Sequence, residues 1–250
     1  MKIFRLIASI VLIISVFTVV VLAIVKMPNR TCSKLEVNVH TQNESVMLTQ
    51  NDVEKMLAKA DIETVGKKMK DVDLASITSL LKANPYVQEI NFVHFAGTKL
   101  VIDYTLRTAL LHVYTNDGDE YFLDPEGALM PYTLKMTDFL AIANGSIHQH
   151  YKKGATANKE LTPVLELAKL IDQDPFLKSQ FRQIYRNTNN QLELVSTIGN
   201  QIVLFGNTDN AEEKLENLRH VYQQGIPRKG FDQYAQLDVR FKNRIIAQHR

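Results

Sequence analysis

A chain of 250 residues with 45% hydrophobic and 22% charged side chains has an ordinary globular composition and room for one large or two modest domains. Its 29 basic residues, less Lys2 and Arg5 at the amino terminus, balance its 27 acidic ones, so no basic excess supports nucleic-acid binding. Cys32 is the single cysteine, which excludes an intrachain disulfide.

The first element is Leu6 to Val25, a charge-free run rich in Ile, Val and Leu. It reaches the ~20 residues that a helix needs to cross a hydrocarbon core. A cleaved signal peptide would have an apolar region of about 7 to 15 residues and small residues at its cleavage site. This run ends instead at Ala23-Ile24-Val25-Lys26-Met27, and Asn29-Arg30-Thr31 before Cys32 does not fit a lipoprotein. An uncleaved anchor is therefore expected. Lys2 and Arg5 on one side and Lys26, Arg30 and Lys34 on the other leave its orientation open.

Leu35 to Val39 alternates as a strand does. Thr49 opens a helix, with Asp52 completing a capping box and Val53, Met56, Leu57 and Ala60 forming its apolar stripe. Asp73 caps a second helix buried through Leu74, Ile77, Leu80 and Leu81, and Asn84-Pro85 ends it. Strands follow at Val87 to Phe95 and Lys99 to Leu106. In the second, Leu100, Ile102, Tyr104 and Leu106 share a core face opposite Val101, Asp103 and Thr105. The order is β-α-α-β-β. The stretch from Asn84 to Pro131 reads as consecutive hairpins, with turns at Ala96-Gly97-Thr98, Asn116-Asp117-Gly118 and Asp124-Pro125-Glu126-Gly127, and as the joint between two domains.

Beyond the joint, strands are expected at Leu110 to Tyr114, Tyr121 to Leu123 and Phe139 to Ala143. Thr162-Pro163 starts a helix with threonine at the cap, lined by Leu161, Leu165, Ala168 and Ile171, and Asp174-Pro175 breaks or restarts it. Strands resume at Phe181 to Tyr185, Gln191 to Thr197 and Gln201 to Phe205, the last two joined by a tight turn at Gly199-Asn200. The last helix is capped by Thr208 or Asp209, buried through Leu215, Leu218, Val221 and Tyr222, and left at Gly225. An amphipathic strand, Gln236 to Phe241, closes the pattern with Leu237, Val239 and Phe241 inward and Gln236, Asp238 and Arg240 outward. Lys242-Asn243 and the apolar pair Ile245-Ile246 follow. There is no repeat of solenoid period and no low-complexity tract.

Candidate chemistry is thin. His148-Gln149-His150 could put two imidazoles on one strand face, but no third ligand of suitable type is near in sequence. Asp117, Asp119, Asp124 and Glu126 lack calcium-loop spacing and fit hairpin turns. There is no G-x-S-x-G, no H-E-x-x-H, no P-loop and no dinucleotide fingerprint, which weakens an enzymatic reading, including a hydrolase built on His112, His148 or His150.

Three pieces in order, Asn84-Pro85-Tyr86-Val87, the stretch Arg107 to Pro131 with Asp124-Pro125-Glu126-Gly127 and Met130-Pro131, and Leu237-Asp238-Val239-Arg240-Phe241, carry a family resemblance. With the anchor and the Glu213-Lys214-Leu215 helix, the chain resembles the bacterial cell-division FtsQ/DivIB family, most closely its Bacteroidetes versions. The resemblance implies an α+β chain: a cytoplasmic tail at 1–5, a transmembrane helix at 6–25, a linker at 26–32, a POTRA domain at 33–106 and a β-domain at 107–250. It implies a single-pass inner-membrane protein, amino terminus in the cytoplasm and domains in the periplasm at the division septum. No catalysis, metal, cofactor or small-molecule substrate is implied. The implied role is a divisome scaffold that binds FtsB and FtsL and helps control septal peptidoglycan synthesis by FtsW and FtsI. The family's pairing of its last strand with an FtsB segment corresponds to Arg240, Phe241, Lys242, Asn243, Arg244 and Ile245. For these residues a solvated strand edge is the plainer reading. The rival function is a POTRA chaperone for outer-membrane or secreted proteins.

Overall fold

A computed structural model describes residues 10–21, 29–136, 139–226, 230–242 and 244–250. Residues 10–21 are helical, and among the described residues no helix is long and apolar enough to cross a membrane. The remainder of the expected anchor, at 6–9 and 22–25, lies outside the described residues. The chain divides into two compact units, Met1–Thr41 with Leu48–Leu106, and Gln42–Met47 with Arg107–Arg250.

The first unit runs β1 (Lys34–His40), α1 (Gln50–Lys59), α2 (Leu74–Lys82), β2 (Val87–Ala96) and β3 (Lys99–Leu106), the β-α-α-β-β order read from sequence. Local chemistry sets its helix starts. Thr49 and Asp52 form the reciprocal capping box of α1, and Asp73 Oδ1 accepts the amides of Ala75 and Ser76 at the head of α2. Strand β3 lies in the middle of the sheet, parallel to β1 and antiparallel to β2. Leu100, Ile102, Tyr104 and Leu106 pack against Val53, Leu57, Ile77 and Leu81 from the helices. Each such burial stabilises by about 1.5–3 kcal/mol. The phenol of Tyr104 donates to the Leu48 carbonyl at 2.8 Å, so its one polar atom is not stranded in the core. The opposite face is less wet than simple alternation suggests. Asp103 is only 7% exposed because Asn91 and His40 contact its carboxylate at 2.7 and 3.0 Å.

The second unit is built on a nine-stranded mixed sheet in the order β12-β11-β10-β9-β8-β7-β4-β5-β6. Its strands are β4 (Leu111–Tyr114), β5 (Glu120–Leu123), β6 (Leu129–Pro131), β7 (Ala141–Gly145), β8 (Phe181–Arg186), β9 (Leu192–Ser196), β10 (Ile202–Gly206), β11 (Tyr234–Asp238) and β12 (Ile246–His249). Helices α3 (Thr162–Gln173), α4 (Pro175–Gln180) and α5 (Ala211–His220) share the core with one face of it. At the head of the unit, Arg107 reaches the fully buried carboxylate of Asp124 at 2.6 Å, and the other oxygen of Asp124 closes the Pro125-Glu126-Gly127 turn by accepting the Ala128 amide.

Several local expectations are corrected here. Phe139 is 88% exposed and lies before β7, and β6 was not anticipated. Thr162 is inside α3, with Leu161 at the cap, because its hydroxyl donates back to the Asn158 carbonyl. Neither Thr208 nor Asp209 caps α5: Asn210 stands there in the left-handed region, and the Thr208 hydroxyl donates to Glu166 at 3.1 Å. The helix continues past His220 as a π segment, Val221–Gly225, and Ile226 keeps helical dihedrals, so the chain does not leave the helix at Gly225.

Candidate partner-binding site

The two ends of the nine-stranded sheet differ. At β6 the Leu129 amide donates to Ala155 and Ala128 bridges Thr156, so the loop before α3 covers that edge. At the other end stands β12, antiparallel to β11 and exposed along its whole length. Beside it, α5 and the β11–β12 connection line a small solvent-open concavity.

The strand Gln236 to Phe241 expected from sequence is shorter, because β11 ends at Asp238. The Val239 amide makes a last bond to Leu204, and the chain then leaves the sheet. Leu237 and Val239 are buried as expected, but Phe241 is 42% exposed, and Asp238 is only 9% exposed where an outward residue was expected. Ile245-Ile246 does not merely trail the strand: Ile246 starts β12.

Five of the six residues singled out from sequence line the concavity: Arg240, Phe241, Lys242, Arg244 and Ile245. Asn243 lies outside the described residues. The opposite wall comes from α5, through Asn210, Glu213, Lys214 and Asn217. Sequence reasoning missed this wall as site residues. Its signal was the polar Glu213-Lys214 pair directly before Leu215 in a helix whose buried stripe is Leu215 and Leu218.

Three of the cations have defined partners. Arg240 Nε and Nη2 meet the Asp238 carboxylate at 2.9 and 2.6 Å, and Nη1 reaches Gln191 at 3.2 Å. The hydrogen bonds from Arg240 hold the Asp238 carboxyl below the usual aspartate value, against the opposing effect of burial. Gly206 makes room for this pair. A Cβ there would lie 3.0 Å from Arg240 Cγ, at a φ of +81°. Lys214 Nζ donates to the Phe205 and Asn207 carbonyls at 3.2 and 2.9 Å, and burial lowers its pKa from the ordinary lysine value. The Arg244 guanidinium sits 5.0 Å from the Phe241 ring centroid. The result is a half-exposed aromatic ring in a corner lined by Lys214, Arg240, Lys242 and Arg244, with Glu213 on the wall and Asp238 paired to Arg240, which leaves an excess of cations around the ring.

A buried polar hub positions the corner. Gln201 is fully buried; its Oε1 accepts from Ser196 at 2.8 Å and from Tyr222 at 3.3 Å, and its Nε2 donates to the Phe231 carbonyl. It thereby ties the β9–β10 hairpin to the π segment after α5 and to the turn before β11. Burial pushes the Tyr222 phenol up to about 12, so it remains a donor.

The other sequence candidates lie elsewhere and do not gather into a reaction centre. His148 pairs with Glu160 at 3.1 Å, and His150 with Asp117 at 3.4 Å and Asp119 at 3.5 Å. Among the described residues no group of three or more His, Cys, Asp and Glu could hold a metal ion.

The profile of the family "FtsQ/DivIB, C-terminal related" matches residues 108–248, more than half of the chain. The chain belongs to that family. A second profile, for a POTRA-like domain, matches residues 30–105 of this FtsQ/DivIB-related chain. Comparison with curated proteins returns no match. The FtsQ/DivIB-related match gives the chain a cell-division character. The concavity falls inside the FtsQ/DivIB-related segment.

Proposed function

We propose that this protein is a membrane-anchored scaffold of the division septum. In this reading Leu6 to Val25 holds the chain in the inner membrane, with residues 26–32 as linker, 33–106 as the POTRA domain and 107–250 as the β-domain in the periplasm. FtsB- and FtsL-type division proteins dock on the β-domain and link it to the septal synthase pair FtsW and FtsI. The partner lies in the corner between α5 and the β11–β12 connection, contacting Arg240, Phe241, Lys242, Asn243, Arg244 and Ile245.

The observation that carries the reading is Phe241, an aromatic ring 42% exposed at the mouth of an electropositive concavity, within a segment that matches the FtsQ/DivIB-related family. Half-exposed aromatic and arginine side chains around a small concavity are the chemistry of interface hot spots. The excess of cations favours a partner segment that brings carboxylates.

The test is depletion of the protein in cells that carry a fluorescent fusion. Filamentous cells and a mid-cell band are expected. Normal division with a diffuse envelope signal would overturn the reading and favour the chaperone role that a POTRA-like domain also allows.

A further inference from the structure

Outside residues 10–21, the two most exposed large apolar side chains among the described residues are Leu134, 83% exposed, and Phe139, 88% exposed. Both belong to the connection from β6 to β7, and a side chain with more than four-fifths of its area in solvent stands clear of the surface. Single exposed apolar residues are ordinary, but two in one short connection, beside the exposed Tyr132 and the half-buried Met136, make a patch.

Local bonding holds both outward. The Met136 amide donates to the Thr133 carbonyl at 3.2 Å and the Lys135 amide to the Thr133 hydroxyl at 3.3 Å, which closes a tight turn with Leu134 and Lys135 at its tip. Turn tips facing water select Gly, Pro, Asn, Asp or Ser, and nothing in the turn itself favours a leucine there. The Tyr132 ring lies nearly parallel to that of His112 on β4, centroids 5.3 Å apart at 13°, and fixes the start of the connection to the sheet. At the other end the Arg182 guanidinium, on β8, stands 5.5 Å from the centre of the Phe139 ring.

The chemistry around the two tips selects the occupant. Leu134 and Phe139 carry no hydrogen-bonding side-chain atoms, and neither lines the concavity beside α5. Around them stand a tyrosine ring, whose amphipathic body suits the level of lipid headgroups, and Lys135 and Arg182, long cations that keep their charge at headgroup phosphates while apolar neighbours go deeper. The two cations outnumber the connection's one carboxylate, Asp138. A protein hot spot would call instead for a fitted pocket. Two apolar side chains alone hold a bilayer weakly, but in a chain tethered to that bilayer the contact is intramolecular.

We propose that the β6–β7 connection is a membrane-contacting loop that inserts Leu134 and Phe139 into the phospholipid bilayer, with Tyr132, Lys135 and Arg182 at the headgroups. The inference rests on the anchored reading for its tether, and it adds a second point of contact that limits how the second unit turns above the membrane.

The chain has no tryptophan, so a tryptophan placed in the connection reports alone. The test uses full chains carrying Leu134→Trp, Phe139→Trp or, as reference, Ile198→Trp at the exposed tip between β9 and β10. Each is reconstituted in vesicles of phosphatidylethanolamine and phosphatidylglycerol, with plain or brominated acyl chains. Bromine should quench emission from positions 134 and 139 by about twofold or more and leave position 198 unchanged. Adding Phe139→Asp to the Leu134→Trp chain should abolish the quenching, while the melting temperature stays within about 2 °C because the residue is exposed. Flotation separates the two readings. A chain that does not float with the vesicles has no anchor, and both readings fall. A chain that floats overturns the loop contact alone if positions 134 and 139 emit equally in plain and brominated vesicles, if position 198 is quenched as strongly, or if quenching survives Phe139→Asp. A blue shift on adding a soluble FtsB-type segment, without bromine quenching, would assign the loop to a protein partner and overturn the contact too.

Discussion

The carboxylate of Asp238 holds the guanidinium of Arg240 two residues further on, through contacts of 2.9 and 2.6 Å at the point where β11 leaves the sheet. The pair converts a strand end into a fixed bend, and it aims the next residue, Phe241, away from the core. Several consequences can be measured.

The pair links stability to pH. The folded-state pKa of Asp238 lies below its unfolded value of about 3.9. Its contribution is therefore complete above that pH and is lost as pH falls through the folded value. Asp238→Asn should destabilise by about 1–2 kcal/mol at pH 7, a figure reduced by the partial exposure of Arg240, and should show a smaller difference from wild type at pH 2. Urea unfolding at both pH values checks this, and a difference that does not shrink in acid would refute it.

Phe241→Lys removes the aromatic ring from the corner and adds one more cation. Because Phe241 is 42% exposed, the fold should change by no more than about 0.5 kcal/mol. Co-purification of the FtsB-type protein should fall by about 30-fold or more, the scale of an interface hot spot. Unchanged capture by a folded variant would remove Phe241 from the proposed site.

Arg107→Ala leaves the fully buried Asp124 carboxylate with the Ala128 amide but without its cation. Breaking a buried pair on one side costs about 3–5 kcal/mol, discounted here toward the lower figure because Arg107 is partly exposed. Thermal melts should show a clear loss. The double variant Arg107→Leu/Asp124→Leu should recover much of it, and no recovery would point to a role beyond the pair.

Gln201→Leu removes the partner of Ser196, Tyr222 and the Phe231 carbonyl at once. A loss of about 2–3 kcal/mol is expected, with faster amide exchange concentrated in β11 and the segment before it. Tyr222→Phe keeps the edge contact with Phe181, centroids 5.4 Å apart, and should cost under about 1 kcal/mol. Equal losses for the two variants would argue against Gln201 as the hub.

What the sequence determined by itself was whatever depends on neighbours along the chain. The Thr49/Asp52 box, the Asp73 cap, the helix break at Asp174-Pro175, the two-residue period of Leu100 to Leu106 and the left-handed turn at Gly199 and Asn200 are all in place, because a cap, a turn or an alternation is satisfied within a few residues. The POTRA-like and FtsQ/DivIB-related character was legible for the same reason, as an ordered series of such local signals. Tertiary structure decided the rest. Phe241 continues the inward period of Leu237 and Val239 in sequence, yet the sheet has ended before it, and only the Asp238–Arg240 bend shows where. Ile246 to His249 carries too few apolar residues to announce a strand, and it becomes one because β11 offers it an edge. Which edges of a sheet are taken is settled by register between segments far apart in the chain, and no stretch of sequence read alone contains that information.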